Sequence, residues 1–405
     1  MSPTVEKASP SLLSQRYGPE TTNYYASSPL NRYSFLRSDE RFLSRAASSP
    51  CARFVVFRGL DPLVCGEAGT TELAFFSFLE VRSLLTRDDG GGDEDGGNGG
   101  GKKGGDGGFS LSSLLLVVFL GLAESETVKD IDDDGDDQLT FNTADHGVVK
   151  GRPYFAIDVT SHPPLSEIAT SFIDDKLTKG YTILSNPRSS ILSPESASIF
   201  GQARSIIDWN KRNPFCAACG HATTSVEAGY KRRCPDETCA THLAVSNICF
   251  PRSDPTMIAA VVSADGKRIL LGRQARYPAR WYSCLAGFLE PGESVEDAVR
   301  REVWEEAGVK VGRVVIHSTQ PWPYPASLMI GAVAEAVSGG EDIVLNDKEL
   351  ESADWFTLDE VRQALQHKTE GHDRGTGLRV PPPTAIANRL MTAVVQGFLT
   401  GIPKI

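Results

Sequence analysis

The stretch from Gly287 to Val309 limits what the chain can fold into more than any other part of it. It reads Gly287-Phe-Leu-Glu-Pro-Gly-Glu293 and continues through Arg301-Glu302-Val-Trp-Glu305-Glu306-Ala-Gly308-Val309. A tight loop containing glycine and proline therefore feeds a short helix. Ser294 is a good N-cap, with Asp297 three residues on in the manner of a capping box, and Gly308 supplies the stop. Val295, Ala298, Val299, Val303 and Ala307 recur at helical spacing and predict the face that packs.

The acidic residues of this helix do not fall where a solvated face would put them. At about 100° per residue, Glu306 projects between Val295 and Val299, and Glu302 lies just beside Val295. Glu302 and Glu306 are one turn apart, so their side chains converge. Like charges meeting at the edge of an apolar arc are costly unless something positive sits between them. Oxygen donors of this kind suit a hard divalent cation, Mg²⁺ or Mn²⁺, which keeps waters and bridges phosphates.

The flanking sequence predicts a strand–loop–helix setting. Met257–Ser263 reads as a strand, Asp265-Gly266 as a hairpin turn to Arg268–Gly272, and Trp281–Ala286 as a strand delivering Gly287. Upstream, Cys216-Ala-Ala-Cys219 and Cys234-Pro-Asp-Glu-Thr-Cys239 form two knuckles separated by fourteen residues. Four thiolates at this spacing suit a closed tetrahedral Zn²⁺ site, structural because no position is open. The second knuckle has four spacer residues, so Cys249 stands as an alternative to Cys239. Cys51, Cys65 and Cys284 read as isolated buried thiols, and His221 and His242 flank the cluster. With no apolar export segment at the N-terminus, the cysteines indicate a reducing compartment.

Downstream of a predicted strand over Arg313–His317 lies Gln320-Pro321-Trp322-Pro323-Tyr324-Pro325-Ala326-Ser327. Three alternating prolines stiffen the segment and are not expected to continue a central strand, so Trp322 and Tyr324 point in fixed directions. Spacing alone leaves a stacking platform and a rigid packed loop equally open.

Residues 1–30 read as a flexible lead-in. Phe54–Phe57, Leu73–Leu79, Leu114–Leu122 and Tyr154–Val159 predict a small sheet, interrupted by a disordered Gly/Asp insertion at 88–108. Helices are expected at Leu165–Lys176 and from Pro194 to Trp209, with a short strand at Tyr181–Leu184. The run Asp130-Ile-Asp-Asp-Asp-Gly-Asp136 imitates a calcium loop, but Phe141 occupies the position where a bidentate Glu is required, so a solvated loop is expected. Leu114–Leu122 is too short to span a bilayer. A net charge of −11 argues against a general nucleic-acid or anionic-membrane binder, though not against a metal-bridged anionic substrate.

Every specified position of the Nudix box is present between Gly287 and Val309, and the chain resembles the Nudix hydrolases. The cysteine ribbon and the Gln-Pro-Trp-Pro-aromatic-Pro-x-Ser array are similar to those of NADH pyrophosphatases, including NAD-capped RNA hydrolases, within that superfamily. The resemblance implies an α+β chain: a flexible 1–30, an N-terminal mixed-sheet domain at 31–205, a zinc ribbon at 210–250 and a Nudix α/β/α sandwich at 251–400. It implies metal-dependent hydrolysis of NADH or NAD⁺ to nicotinamide mononucleotide and AMP, with NAD-capped RNA or another nucleoside diphosphate derivative as the alternative substrate. A non-catalytic nucleotide sensor is the reading from a different class.

By the same resemblance Glu302, Glu306, Glu349 and the Ala286 carbonyl hold Mg²⁺ or Mn²⁺, Glu305 is a ligand or base, and Arg301 with Glu293 orients the loop. Phe288 and Trp322 would sandwich the nicotinamide, and Phe250 would close the pocket across a homodimer interface. Gln320, Pro321, Pro323, Tyr324, Pro325, Ala326 and Ser327 complete the substrate array, and Ala387 in Pro381–Ala387 would contact the nucleotide. Relatives of this kind are often peroxisomal, whereas Ile402-Pro-Lys-Ile405 is a poor match to a Ser-Lys-Leu signal, so cytosol and peroxisome are both expected and a membrane is not.

Overall fold

Every residue from Met257 to Val262 is apolar, and a strand of that kind has to be covered on both faces. The computed structural model describes residues 12, 14, 20–66, 71–85, 115–124, 138–143, 145–160, 166–185, 187, 188, 191–366 and 377–398. The insertion at 88–108, the acidic run at 130–136 and the tail Ile402–Ile405 lie outside these residues. The chain divides into a C-terminal unit (Met1–Ala26, Ser253–Trp322, Ala326–Ile405) and an N-terminal unit (Ser27–Arg252 with Pro323–Pro325).

The C-terminal unit is built on β1 (Asp254–Val262), β2 (Arg268–Arg273), β3 (Leu285–Phe288), α1 (Val295–Ala307), β4 (Val311–Trp322), β5 (Ser327–Ala336), β6 (Ser352–Thr357), α2 (Leu358–Gln366) and α3 (Ile386–Val395). Its sheet runs β4-β5-β1-β2-β6, with β3 also on β1. Only the β1–β5 pairing is parallel among the described ladders of this sheet. Alternation along β1 separates two cores. Met257, Ala259 and Val261 pack with Ala298, Val299, Val303 and Ala307 of α1. Ile258, Ala260 and Val262 pack on the opposite face with Val361, Ile386, Leu390 and Met391 of α2 and α3. The result is an α/β/α sandwich.

Two strands depart from the sequence expectation: β3 begins at Leu285 and not at Trp281, and β4 is longer than expected. Strand β4 does not stop at His317 but continues through Pro321 to Trp322, with Pro321 opposite Leu328 and Trp322 opposite Ser327. It lies at the sheet edge, where a proline removes no ladder bond from a second neighbour.

In the N-terminal unit a nine-stranded sheet is ordered around Val148–Asp158, which pairs parallel with Arg53–Arg58 and antiparallel with Leu116–Ala123. Phe54 and Phe155 stack in its core with ring centroids 5.2 Å apart. Leu73–Leu79 is not one strand: two short strands at Glu72–Leu73 and Phe75–Phe76 give way to a helix over Phe78–Leu85. The cause is local, since Glu80 Oε2 accepts bonds from the Ser77 backbone N and Oγ at 2.9 and 3.0 Å and caps a helix start. Helix Pro194–Arg212, capped by Ser193, leads into the ribbon hairpin Thr224–Val226/Lys231–Arg233. Among the described residues no helix is long and apolar enough to cross a membrane.

Candidate active site

Helix α1 starts and stops as its residues dictate. The Ser294 hydroxyl accepts from Asp297 N at 3.2 Å and donates to Asp297 Oδ2 at 3.0 Å. Gly308 ends the helix at φ 72°, its N–H donating to Trp304 O. A Cβ there would also meet Val344 N at 2.9 Å and Val344 O at 2.8 Å, so the loop from β5 to β6 docks on α1 only because this residue is glycine. Val344 N donates to Ala307 O, and Asn346 Nδ2 donates to Trp304 O at 2.8 Å. This docking carries Asp347 and Glu349 toward α1.

Arg301 organises the acidic end of the box. Its Nε and Nη2 hold Glu293 at 2.6 and 2.9 Å, and Nη1 holds Glu302 at 3.0 Å and Glu305 at 2.9 Å. Nη2 also donates to Phe288 O at 2.8 Å, fixing the loop to the helix. The Glu293–Arg301 bond brings the Glu293 carboxyl down to about 2. Arg301 and Glu293 are thus a positioning pair.

Glu306 is the chemically anomalous residue. It is 2% exposed, and its Oε2 is buried without a hydrogen-bond partner. Burial, followed by the charges of Glu302, Asp347, Glu349 and Glu305, pushes its carboxyl up to about 8. Burial also raises Glu302, against the opposing pull of Arg301. A Cβ on Gly287 would lie 2.0 Å from the Glu302 carboxyl carbon, so that carboxylate rests directly on the strand backbone. An orphaned buried carboxylate oxygen ringed by four further carboxylates is a chemical demand for a cation, and the donor set is the one a hard divalent ion takes. Among the described residues the glutamate oxygens do not gather within 4.8 Å of one another as the cysteine sulfurs do. Glu302 and Glu305 are instead turned onto Arg301.

Asp347 is the member of this ring that the sequence reading missed. The only available signal was its place in Asn346-Asp-Lys-Glu349, two residues before a glutamate already singled out.

The other candidates separate into exposed and buried groups. Phe288 is 57% exposed beside the box, and Trp322 is half-buried. Gln320, expected among substrate contacts, is 1% exposed. Its Nε2 donates to Tyr24 O and Thr384 O, and its Oε1 accepts from Ile386 N. It is a clamp between the edge strand, residue 24 and residues 384–386. Ala387 is 3% exposed and lies in the α3 core. Ser327 is 9% exposed and pairs with Trp322 in the ladder, and Ala326 O accepts from Asp254 N.

Pro323, Tyr324 and Pro325 belong to the N-terminal unit. Tyr324 is clasped there by the guanidiniums of Arg188 and Arg204, 4.7 and 4.6 Å from its ring centroid, while Arg204 donates to Pro323 O. Phe250 is 39% exposed in the same unit, with Lys231 Nζ 5.2 Å from its ring centroid.

In the ribbon the Sγ atoms of Cys216, Cys219, Cys234 and Cys239 lie within 4.8 Å of one another, with Cys216–Cys239 at 3.7 Å and Cys219–Cys234 at 3.4 Å. The edge of a ZnS₄ tetrahedron is about 3.8 Å, so the set fits a structural Zn²⁺. Cys249 is buried but outside it. Cys239→Ser is expected to lower bound zinc from about one ion per chain to a small fraction, read by elemental analysis, whereas Cys249→Ser should retain it. Equal loss in both variants would reopen the choice of fourth ligand.

Three family models match the chain: the NADH pyrophosphatase-like rudimentary NUDIX domain at residues 51–209, the NADH pyrophosphatase zinc ribbon domain at 211–240 and the NUDIX domain at 254–375. The chain belongs to the Nudix hydrolase family, in the branch that carries the NADH pyrophosphatase zinc ribbon. Within that branch it is 33% identical to a Schizosaccharomyces pombe protein named NAD-capped RNA hydrolase, over 92% of each chain. It is 34% identical to the Pongo abelii NAD-capped RNA hydrolase NUDT12, over 92% of this chain and 73% of that one. The macaque (Macaca fascicularis) protein of the same name is 48% identical over 49% of this chain, a match spanning 42% of that protein's length.

Proposed function

We propose that the chain hydrolyses the pyrophosphate of NADH or NAD⁺, releasing nicotinamide mononucleotide and AMP. The observation that carries this reading is Glu306, a buried carboxylate with an orphaned oxygen inside an acidic ring. Glu302, Glu306, Glu349 and the Ala286 carbonyl would hold Mg²⁺ or Mn²⁺, and Asp347, whose charge bears on Glu306, is a further candidate. When bound, such an ion offsets charge on the phosphoryl oxygens and makes water a better nucleophile.

The protein's own contribution is placement. Arg301 ties the Phe288 carbonyl, Glu293, Glu302 and Glu305 into one unit, which keeps the two helix carboxylates beside the loop. Glu305, with a side chain 42% exposed against 14% for Glu302, is the more open of the two to the attacking water. Phe288 and Trp322 supply flat surfaces for a base.

A second substrate is favoured by the relatives named NAD-capped RNA hydrolase: the same dinucleotide as the 5′ cap of RNA. The test compares NADH and 5′-NAD-RNA with Mg²⁺, with Mn²⁺ and in EDTA, following AMP or uncapped 5′ ends. Metal-stimulated product from either substrate supports hydrolysis, and the ratio of kcat/KM ranks the two. Binding of NADH without any metal-stimulated product would instead establish a nucleotide sensor. The homodimer and the cytosolic or peroxisomal placement implied by the resemblance are proposed with it, to be read by sedimentation and by imaging of the tagged chain.

A further inference from the structure

Residues 23–25, expected from sequence to lie in a flexible lead-in, are bonded into the C-terminal unit. Asn23 is 5% exposed and Tyr25 6%. Asn23 Nδ2 donates to Thr319 O at 2.8 Å and to Ser318 Oγ at 3.0 Å. Gln320 Nε2 donates to Tyr24 O at 3.0 Å. Three successive residues of edge strand β4 are thus bonded to a segment almost 300 positions away in sequence.

The next link reaches Trp322. The Tyr25 ring meets it edge-on, with centroids 6.0 Å apart and planes at 79°. Tyr25 holds φ 69°, a left-handed conformation that a bulky residue keeps only where its surroundings over-determine it. Here those surroundings are the buried Asn23 bonds on one side and an aromatic contact on the other. Trp322 lies on the edge strand of the sheet, opposite Ser327, and Tyr25 meets it from the bonded segment.

We propose that Asn23 and Tyr25 form a strap that sets the plane of Trp322, making Tyr25 a positioning residue for recognition of the substrate's flat base. Asn23 and Tyr25 lie outside all three matched family regions, whereas Trp322 lies within the NUDIX region. The inference rests on the reading that Trp322 stacks on the nicotinamide dinucleotide.

The test uses the full chain and steady-state hydrolysis of NADH. Tyr25→Ala should raise KM about 5-fold with kcat within twofold, in keeping with the worth of one aromatic pair. Tyr25→Phe, which keeps the ring edge, should match the parent. Tyr25→Leu replaces Tyr25→Ala if the latter fails to fold. In a Trp322→Ala background the Tyr25 substitution should add nothing to KM.

Additive effects in the double variant, a fall in kcat matching the rise in KM, or a Tyr25→Phe as impaired as Tyr25→Ala would each overturn the strap. If Trp322→Ala itself leaves KM for NADH unchanged, the stacking reading falls and the strap with it. If Trp322→Ala raises KM but Tyr25→Ala does not, only the strap falls.

Discussion

Replacing Gly287 with alanine is expected to cut kcat by at least about 100-fold while leaving the protein folded. Gly287 sits in β3 opposite Met257 and is not among the residues of positive φ, so its backbone accepts a side chain. The space is the obstacle. A Cβ there would come within 2.0, 2.1 and 2.3 Å of the three carboxylate atoms of Glu302. Those atoms are the far end of a flexible side chain, so the strand need not move, but the carboxylate must. Glu302 would swing away from the acidic ring and from Arg301 Nη1, now 3.0 Å from it. Displacement of one oxygen donor by an ångström or more is enough to lose most of the positioning effect. The measurement pairs kcat with metal titration and thermal unfolding. Parent-like turnover, or a collapse of the fold, would each show that Gly287 serves something other than the Glu302 cradle.

The second large effect is Glu306→Gln, which should lower kcat by orders of magnitude and, in EDTA, stabilise the protein. The sign follows from the raised carboxyl. In the folded chain Glu306 holds its proton up to about 8, against a reference of 4.5. Between those values the unfolded chain is ionised while the folded one is not, so the folded state binds more protons and its stability falls as pH rises. Glutamine lacks this slope. The advantage of the variant should therefore be small near pH 4.5, widen toward pH 8 and then level off. Adding Mg²⁺ or Mn²⁺ should stabilise the parent and not the variant, closing or reversing the gap. A variant less stable than the parent in EDTA at pH 8 would contradict the cation demand argued for this carboxylate.

The box helix was legible because its signals are local. Ser294, the apolar spacing and Gly308 each act within one turn, and the same periodicity placed Glu306 among valines. The cysteine set was legible for a similar reason, since a knuckle aims its own two sulfurs; Cys239 over Cys249 needed the geometry. What escaped were properties set by a neighbour distant in sequence. Pro321 continues a strand because that strand lies at an edge, and the edge position depends on the order of the whole sheet. Gln320 and Ala387 looked like contact residues and are buried by segments folding over them. Spacing left open whether Tyr324 is a platform or part of a rigid packed loop, and it is gripped by Arg188 and Arg204. Asp347 joined the acidic ring only once Asn346 and Val344 had docked its loop on α1.

The sequence by itself determined the helix that bears the glutamates, the strands around it, the chemistry of its donors and the four sulfurs of the ribbon. Each of these is encoded in spacing along a few turns or a single knuckle, where backbone geometry leaves little freedom. The tertiary structure alone decided which aromatic is presented and which is sealed, that Asp347 bears on Glu306, and that residues 23–25 brace Trp322. Those outcomes depend on desolvation and on pairings across hundreds of positions, and no local pattern in a chain carries them.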